Sequence, residues 1–241
     1  MNTSIPRPTG PLSRLLASRF YMTRQGAFLF VVILAVFTTA RPTVASLFIG
    51  GLFASLGEAL RIVTAGYGYS VGEVSRRGPY RFVRHPYYLG TALLVLGLLV
   101  AGRNAWVFAG CLAGMVPIFR EDIRSDEKRY RRVFGPRFDL YRTQVPAFIP
   151  RFTGVSKEVG DKRQFSVEWA LFKGRHRELD AVLGLALAFV GLYAMKQWSS
   201  PAILHAGAFA FGILLVVGRM VYVAIRRPVR LYHPSKTTHG E

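Results

Sequence analysis

The chain carries one cysteine, Cys111, among 241 residues, which excludes an intrachain disulfide and a cysteine-built metal site. Acidic residues are scarce beside basic ones: 13 Asp and Glu face 32 Lys and Arg, leaving a formal charge of +19. Long uninterrupted apolar runs are few. Of six apolar segments, 26–40, 43–60, 87–102, 104–119, 179–198 and 201–225, several fall short of the ~20 residues that a lone membrane-crossing helix needs. No small-residue cleavage site follows the arginine-rich start, so 26–40 reads as a retained span rather than part of a signal peptide. There is no internal repeat and no low-complexity tract apart from a polar tail at 233–241 with the composition of a disordered segment.

What is present is apolar and basic at once: 51% of residues are hydrophobic and the mean hydropathy is +0.27. These features predict an all-α integral membrane protein of about six transmembrane helices arranged in hairpins, with a cytosolic amphipathic helix region. Lys and Arg in short loops mark the cytosolic side. Arg7, Arg14, Arg19 and Arg24 precede the first span; Arg61, Arg76, Arg77, Arg81 and Arg84 follow the second; Arg226, Arg227, Arg230 and Lys236 follow the last, against only Arg41, Arg103 and Lys196 on the other side. Both termini are therefore expected in the cytosol and the protein in the inner or plasma membrane. Orientation accounts for the positive charge, so no nucleic-acid partner is expected.

The predicted divisions are a cytosolic segment 1–25, a membrane core 26–150, an interfacial connector 151–178, a hairpin 179–225 and a basic tail 226–241. Within the core, Arg41-Pro42 turns the first hairpin. The glycines at 66, 68, 72 and 78 predict a loop over 61–86, and Gly102-Arg103-Asn104 turns the second hairpin. Phe119 to Phe134 reads as a charged amphipathic helix closed by Gly135 and Pro136, with Glu127 sharing a face with Arg124 and Arg131. Phe134, Phe138 and Tyr141 line an apolar side. Phe165, Trp169 and Phe172 have the spacing of a short helix on a bilayer surface.

Chemistry concentrates at Gly78-Pro79-Tyr80-Arg81-Phe82-Val83-Arg84-His85-Pro86-Tyr87-Tyr88-Leu89-Gly90, a cationic turn running into an apolar helix. Pro86 suits the first helical position and places His85 at the cap. Arg81, Arg84 and the helix N-terminus together would attract a carboxylate or phosphate. After the second hairpin comes Asp126-Glu127-x-x-Tyr130-x-x-x-Phe134-Gly135-x-x-Phe138-x-x-Tyr141-x-x-x-Val145-Pro146. These two motifs, preceded by Gly57, Leu60 and Arg61, resemble the isoprenylcysteine carboxyl methyltransferase family and its phospholipid methyltransferase relatives over about 57–150.

The resemblance implies an integral membrane enzyme that binds S-adenosylmethionine in a cytosolic pocket and methylates a lipid-like acceptor. Carried over by position, Arg84, His85, Pro86, Tyr88, Gly90 and Glu127 are expected at the cofactor. Glu127 would receive its amino group, and His85 and Arg84 its carboxylate. Asp126 stands where the family has a first glutamate, Tyr130 where leucine is usual and Phe138 where tyrosine is usual. Arg120 and Glu127 are the expected catalytic residues, with Arg120 to hold an anionic acceptor or developing charge; no metal is expected. The plainer readings are that Arg81, Arg84 and Arg120 anchor helix ends among head groups, that His85 only caps a helix, and that Glu58 and Arg61 form a structural pair. Rival functions are an NADPH-dependent sterol-type reductase, whose motif has asparagine at Tyr87 and an acid at Thr91, and a non-enzymatic scaffold keeping a degenerate core.

Overall fold

The computed structural model describes residues 24–67, 74–154, 165–173 and 178–197, apart from the side chains of Gln25 and Lys173. All fall in one unit, Met22–Gly212. Among the described residues the fold is entirely helical: α1 (Arg24–Thr39), α2 (Val44–Tyr67), a 3₁₀ turn (Gly78–Arg81), α3 (Pro86–Gly102), α4 (Ala105–Phe134), α5 (Pro136–Gln144), a π turn (Trp169–Lys173) and α6 (Glu178–Gln197). The expected sixth span, 201–225, and both chain ends lie outside the described residues.

Two helices, α2 and α6, are long and apolar enough to cross a membrane unaided, while α1 and α3 are apolar but shorter. α2 turns Phe48, Leu52, Phe53 and Leu56 outward, and α6 turns Leu183, Leu187 and Val190 outward. So much contiguous apolar surface is unsuited to water and suited to lipid.

Two boundaries differ from the sequence reading. The helix expected to end at 60 runs on to Tyr67, so 61–67 is not loop. Packing overrides the glycine signal there: Gly66 lies directly under the Phe165 ring, where a Cβ would clash, and Tyr67 packs at 5.4 Å against the same ring. The expected span 104–119 and the charged helix 119–134 are one 30-residue helix that passes through Pro117. At 1.5 Å per residue α4 reaches about 45 Å, enough to carry its charged C-terminal half beyond its apolar start.

The expected turns are present. Arg103 adopts the left-handed conformation, φ 54°, and its amide donates to the Leu99 and Val100 carbonyls. Asn104 then caps α4, its Oδ1 accepting from the amides of Trp106 at 3.1 Å and Val107 at 3.2 Å. Gly135, φ 55°, closes α4, and Pro136 opens α5 without needing an amide partner.

The core joins Val32, Val36 and Phe37 of α1 to Val95, Leu98 and Leu99 of α3, Met115 and Phe119 of α4, and Leu192 of α6. Cys111 is buried among them, unpaired. α2 and α3 meet backbone to backbone through Gly50, Ala54 and Gly57 on one side and Gly90, Gly97 and Ala101 on the other. Small residues at this spacing allow the close approach that stabilises helix pairs in lipid. This contact fixes the start of α3, and hence the cationic turn before it, against α2.

Candidate active site

The site forms where the 80–90 turn, the charged half of α4 and α5 converge. The 82–85 backbone is clasped by the strap after α5: the Arg84 amide donates to the Pro146 carbonyl at 2.8 Å, the His85 amide to Ala147 at 3.1 Å, and the Arg151 amide back to Phe82 at 2.9 Å. Tyr141 adds a hydroxyl donated to the Tyr80 carbonyl at 2.7 Å. Burial pushes that hydroxyl's pKa up, so it remains a proton donor. Phe138, Tyr141 and Val145 form a small buried core beneath, with Val74, Tyr130 and Phe134 against it. The apolar side expected of Phe134, Phe138 and Tyr141 is this second core.

Glu127 is the hub. Its Oε1 lies 2.9 Å from Arg84 Nη2 and 3.3 Å from His85 Nε2, and its Oε2 lies 3.5 Å from Arg142 Nε. The hydrogen bond from His85 is the largest influence holding its carboxyl below the usual range; burial opposes this, and the charges of Arg84, His85 and Arg142 reinforce it. An ionised carboxylate only accepts, so His85 donates to it from Nε2. Next to it, Asp126 accepts from the Tyr88 hydroxyl at 2.9 Å and pairs with Arg129 at 2.8 Å. Tyr130 stacks on the His85 ring, with centroids 6.3 Å apart and planes 19° off parallel.

The structure therefore brings Arg84, His85, Tyr88 and Glu127 together, with Pro86 buried at the first position of α3. His85 occupies the cap position, yet its side chain caps nothing and is spent on Glu127 instead. Arg124, Glu127 and Arg131 lie on the one continuous helix α4, as their spacing predicts, but their ion-pair partners lie elsewhere. Arg124 is exposed, 4.0 Å from Glu121, and Arg131 pairs with Asp139 at 2.7 Å, because Glu127 is drawn to the cations of another element. Gly90 faces α2: a Cβ there would sit 2.7 Å from Arg61 Cγ and 2.8 Å from the Gly57 carbonyl oxygen. Arg120 is exposed and lies two helical turns, about 10 Å of rise, before Glu127; it is not gathered into the cluster.

Arg142 and Tyr130 complete the hub, and sequence reasoning missed them as site residues. Arg142 is one of many arginines, and only the turn at Gly135-Pro136 that folds α5 back singles it out. Tyr130 was visible only as a departure from the family pattern.

Residues 43–135 match the family model for phospholipid methyltransferases. This segment belongs to the phospholipid methyltransferase family. The match spans α2, the cationic turn, α3 and all of α4, so the methyltransferase domain contains His85 and Glu127 but neither Arg142 nor α6. A nickel-cobalt-cadmium resistance protein, NccN, from Alcaligenes xylosoxydans xylosoxydans is 30% identical over 111 residues, 45% of this chain and 52% of that protein. The alignment thus spans about half the length of this relative. No solved structure matches.

The lowered Glu127 pKa has a consequence for acid stability. The unfolded carboxyl titrates near the ordinary 4.5 and the folded one below it. The stabilisation is therefore complete above that range and is lost as pH falls through the folded value. Thermal midpoints of detergent-solubilised wild type and Glu127→Gln should differ most at neutral pH and converge as the pH falls below the ordinary carboxylate range. A gap independent of pH would remove Glu127 from the acid-labile interactions.

Proposed function

We propose that this protein is an integral membrane methyltransferase that uses S-adenosylmethionine and acts on a lipid-like or prenylated acceptor at the cytosolic face. Carboxyl O-methylation is the favoured reaction and amine N-methylation the next. The observation that carries this reading is the Glu127 hub, in which the two motifs of the methyltransferase resemblance meet through Arg84 and His85.

The residues fit the cofactor's chemistry. Its amino group calls for an acid, and Glu127 is ionised there beside Asp126. Its carboxylate calls for cations, and Arg84 has a buried Nε without a hydrogen-bond partner while Arg142 stands beside it. Bound cofactor supplies an activated methyl group on a sulfonium. The protein's own part is positional: Glu127, Arg84 and His85 orient the donor side, Tyr130 and Tyr88 supply aromatic walls, and no covalent nucleophile is needed for an in-line transfer. The outward apolar faces of α2 and α6 are suited to an acceptor that approaches from lipid, and the distribution of basic residues supports cytosolic termini. The departures that favoured a scaffold are used rather than lost: Asp126 holds Tyr88, Tyr130 stacks on His85, and Phe138 is packed in the second core.

Calorimetric titration of the detergent-purified chain with S-adenosylmethionine and, separately, NADPH tests the reading. Binding of the first alone, lost in His85→Ala, is expected; methyl transfer to prenylcysteine analogues, isoprenoids or extracted lipids would then identify the acceptor. NADPH binding alone would move the protein to the reductases, and binding of neither would leave the scaffold.

A further inference from the structure

A second charged cluster lies on the opposite side of the first turn of α3, and it joins the family-matched segment to a helix outside it. Arg61 of α2 donates from Nε and Nη2 to the same oxygen of Glu178, at 3.1 and 2.9 Å. Its Nη2 also donates to the Tyr87 hydroxyl at 2.7 Å, its guanidinium lies 4.7 Å from the Tyr87 ring centre, and Glu58 stands 3.4 Å from its Nε. Arg61 is 6% exposed, Glu58 4% and Glu178 0%. Ionisable groups buried among apolar helices are costly, and they are kept where they serve a function. Glu178 opens α6, beyond the 43–135 match.

We propose that Glu178 is a positioning residue for the cofactor site and that α6 is a working part of the enzyme; this rests on the methyltransferase reading above. The route is short. Glu178 holds the Arg61 guanidinium and Arg61 holds Tyr87. Tyr87 lies in the same turn as His85 and Tyr88, which reach the other way to Glu127 and Asp126. The first turn of α3 is thus gripped from two sides, by α2 and α6 through Tyr87 and by α4 through His85 and Tyr88. Gly90 serves the same grip, since a side chain there would displace the Arg61 stem. Loosening the Glu178 side rotates or frays the turn that presents His85 to Glu127, although Glu178 itself touches none of the cofactor-site residues.

The test measures two quantities on the full-length protein in detergent: affinity for S-adenosylmethionine, and the carbon signal of the His85 ring in histidine-labelled protein, assigned by its loss in His85→Gln. Glu178→Ala should weaken binding roughly tenfold, the scale of removing an outer partner of a binding group, and should shift the His85 signal. Tyr87→Phe removes one hydroxyl and keeps the ring, so it should fold normally and show the same two changes more weakly. The double variant Arg61→Met/Glu178→Leu replaces the ion pair by apolar side chains and should regain thermal stability without regaining affinity. Recovery of wild-type affinity and His85 signal by the double variant would reduce the pair to a structural one and overturn the proposal. An unchanged His85 signal in Tyr87→Phe would overturn it as well. A His85 signal that moves in these variants while the wild type binds no S-adenosylmethionine would sustain the coupling and sink the methyltransferase reading instead.

Discussion

Glu127→Ala should abolish measurable binding of S-adenosylmethionine and also lower the stability of the protein. The substitution leaves Arg84, whose guanidinium is nearly buried, together with His85 and Arg142, without the carboxylate that they share. Removing one partner of a buried ion pair costs about 3–5 kcal/mol. The Glu127 side chain is 16% exposed, and the lower end, about 3 kcal/mol, is expected here. Arg124→Ala is the matching control: the residue is exposed and faces Glu121 rather than Glu127, so neither affinity nor thermal midpoint should change appreciably. Calorimetry and thermal unfolding on the two variants check both statements. Retained binding in Glu127→Ala would displace the hub from the cofactor site, and an effect of Arg124→Ala matching that of Glu127→Ala would restore the pairing that helical spacing alone predicts.

The largest effect on folding is expected at Gly97. A Cβ there would lie 2.5 Å from the Ala54 amide nitrogen and 2.5 Å from the Gly50 carbonyl oxygen. Both are backbone atoms, so no side chain can swing aside and the helices must part. Overpacking typically costs 1–3 kcal/mol, and Gly97→Val should fall at or above about 3 kcal/mol because the obstruction is main chain on the facing helix. Since α2 fixes the start of α3, cofactor affinity should fall with stability. Gly110 in α4 gives the contrast, as nothing lies within 4 Å of its built Cβ. Gly110→Ala should be neutral or stabilise by up to about 1 kcal/mol through its helix propensity. Equal thermal midpoints for the two variants would refute the close-contact account of α2 and α3.

Local chemistry made much of this legible. Pro86, Asn104, Gly135 and Pro136 are residues whose backbone or side-chain preferences punctuate helices, and the structure uses each where the sequence places it. The boundary at 60 was missed because glycine weakens a helix only by about 1 kcal/mol, which the packing of Phe165 on Gly66 outweighs. The division of α4 at 119 followed a change of solvent preference rather than a break in the backbone; nothing at Phe119 or Arg120 stops a helix.

The partners of Glu127 show the same divide. Spacings of three and four identify neighbours on one helix and offered Arg124 and Arg131, but several cations competed for this carboxylate, and the winners, Arg84, His85 and Arg142, come from segments up to 43 residues away. Likewise Glu58 and Arg61 were adjacent on one helix face by spacing, while their third and fourth partners, Tyr87 and Glu178, belong to other helices.

The sequence by itself determined the helical class, the turns that end most of the described helices, the family of the 43–135 segment and the two motifs from which His85 and Glu127 come. These depend on short-range preferences and on motifs contiguous along the chain. Only the tertiary structure decided which cations meet Glu127, that Gly90 yields room to Arg61, and that α6 closes on the first turn of α3 through Glu178. Pairing between distant ionisable groups depends on which helices pack together and in what register, and that register is set by close backbone contacts such as Gly57 on Gly90, whose effect no local pattern records.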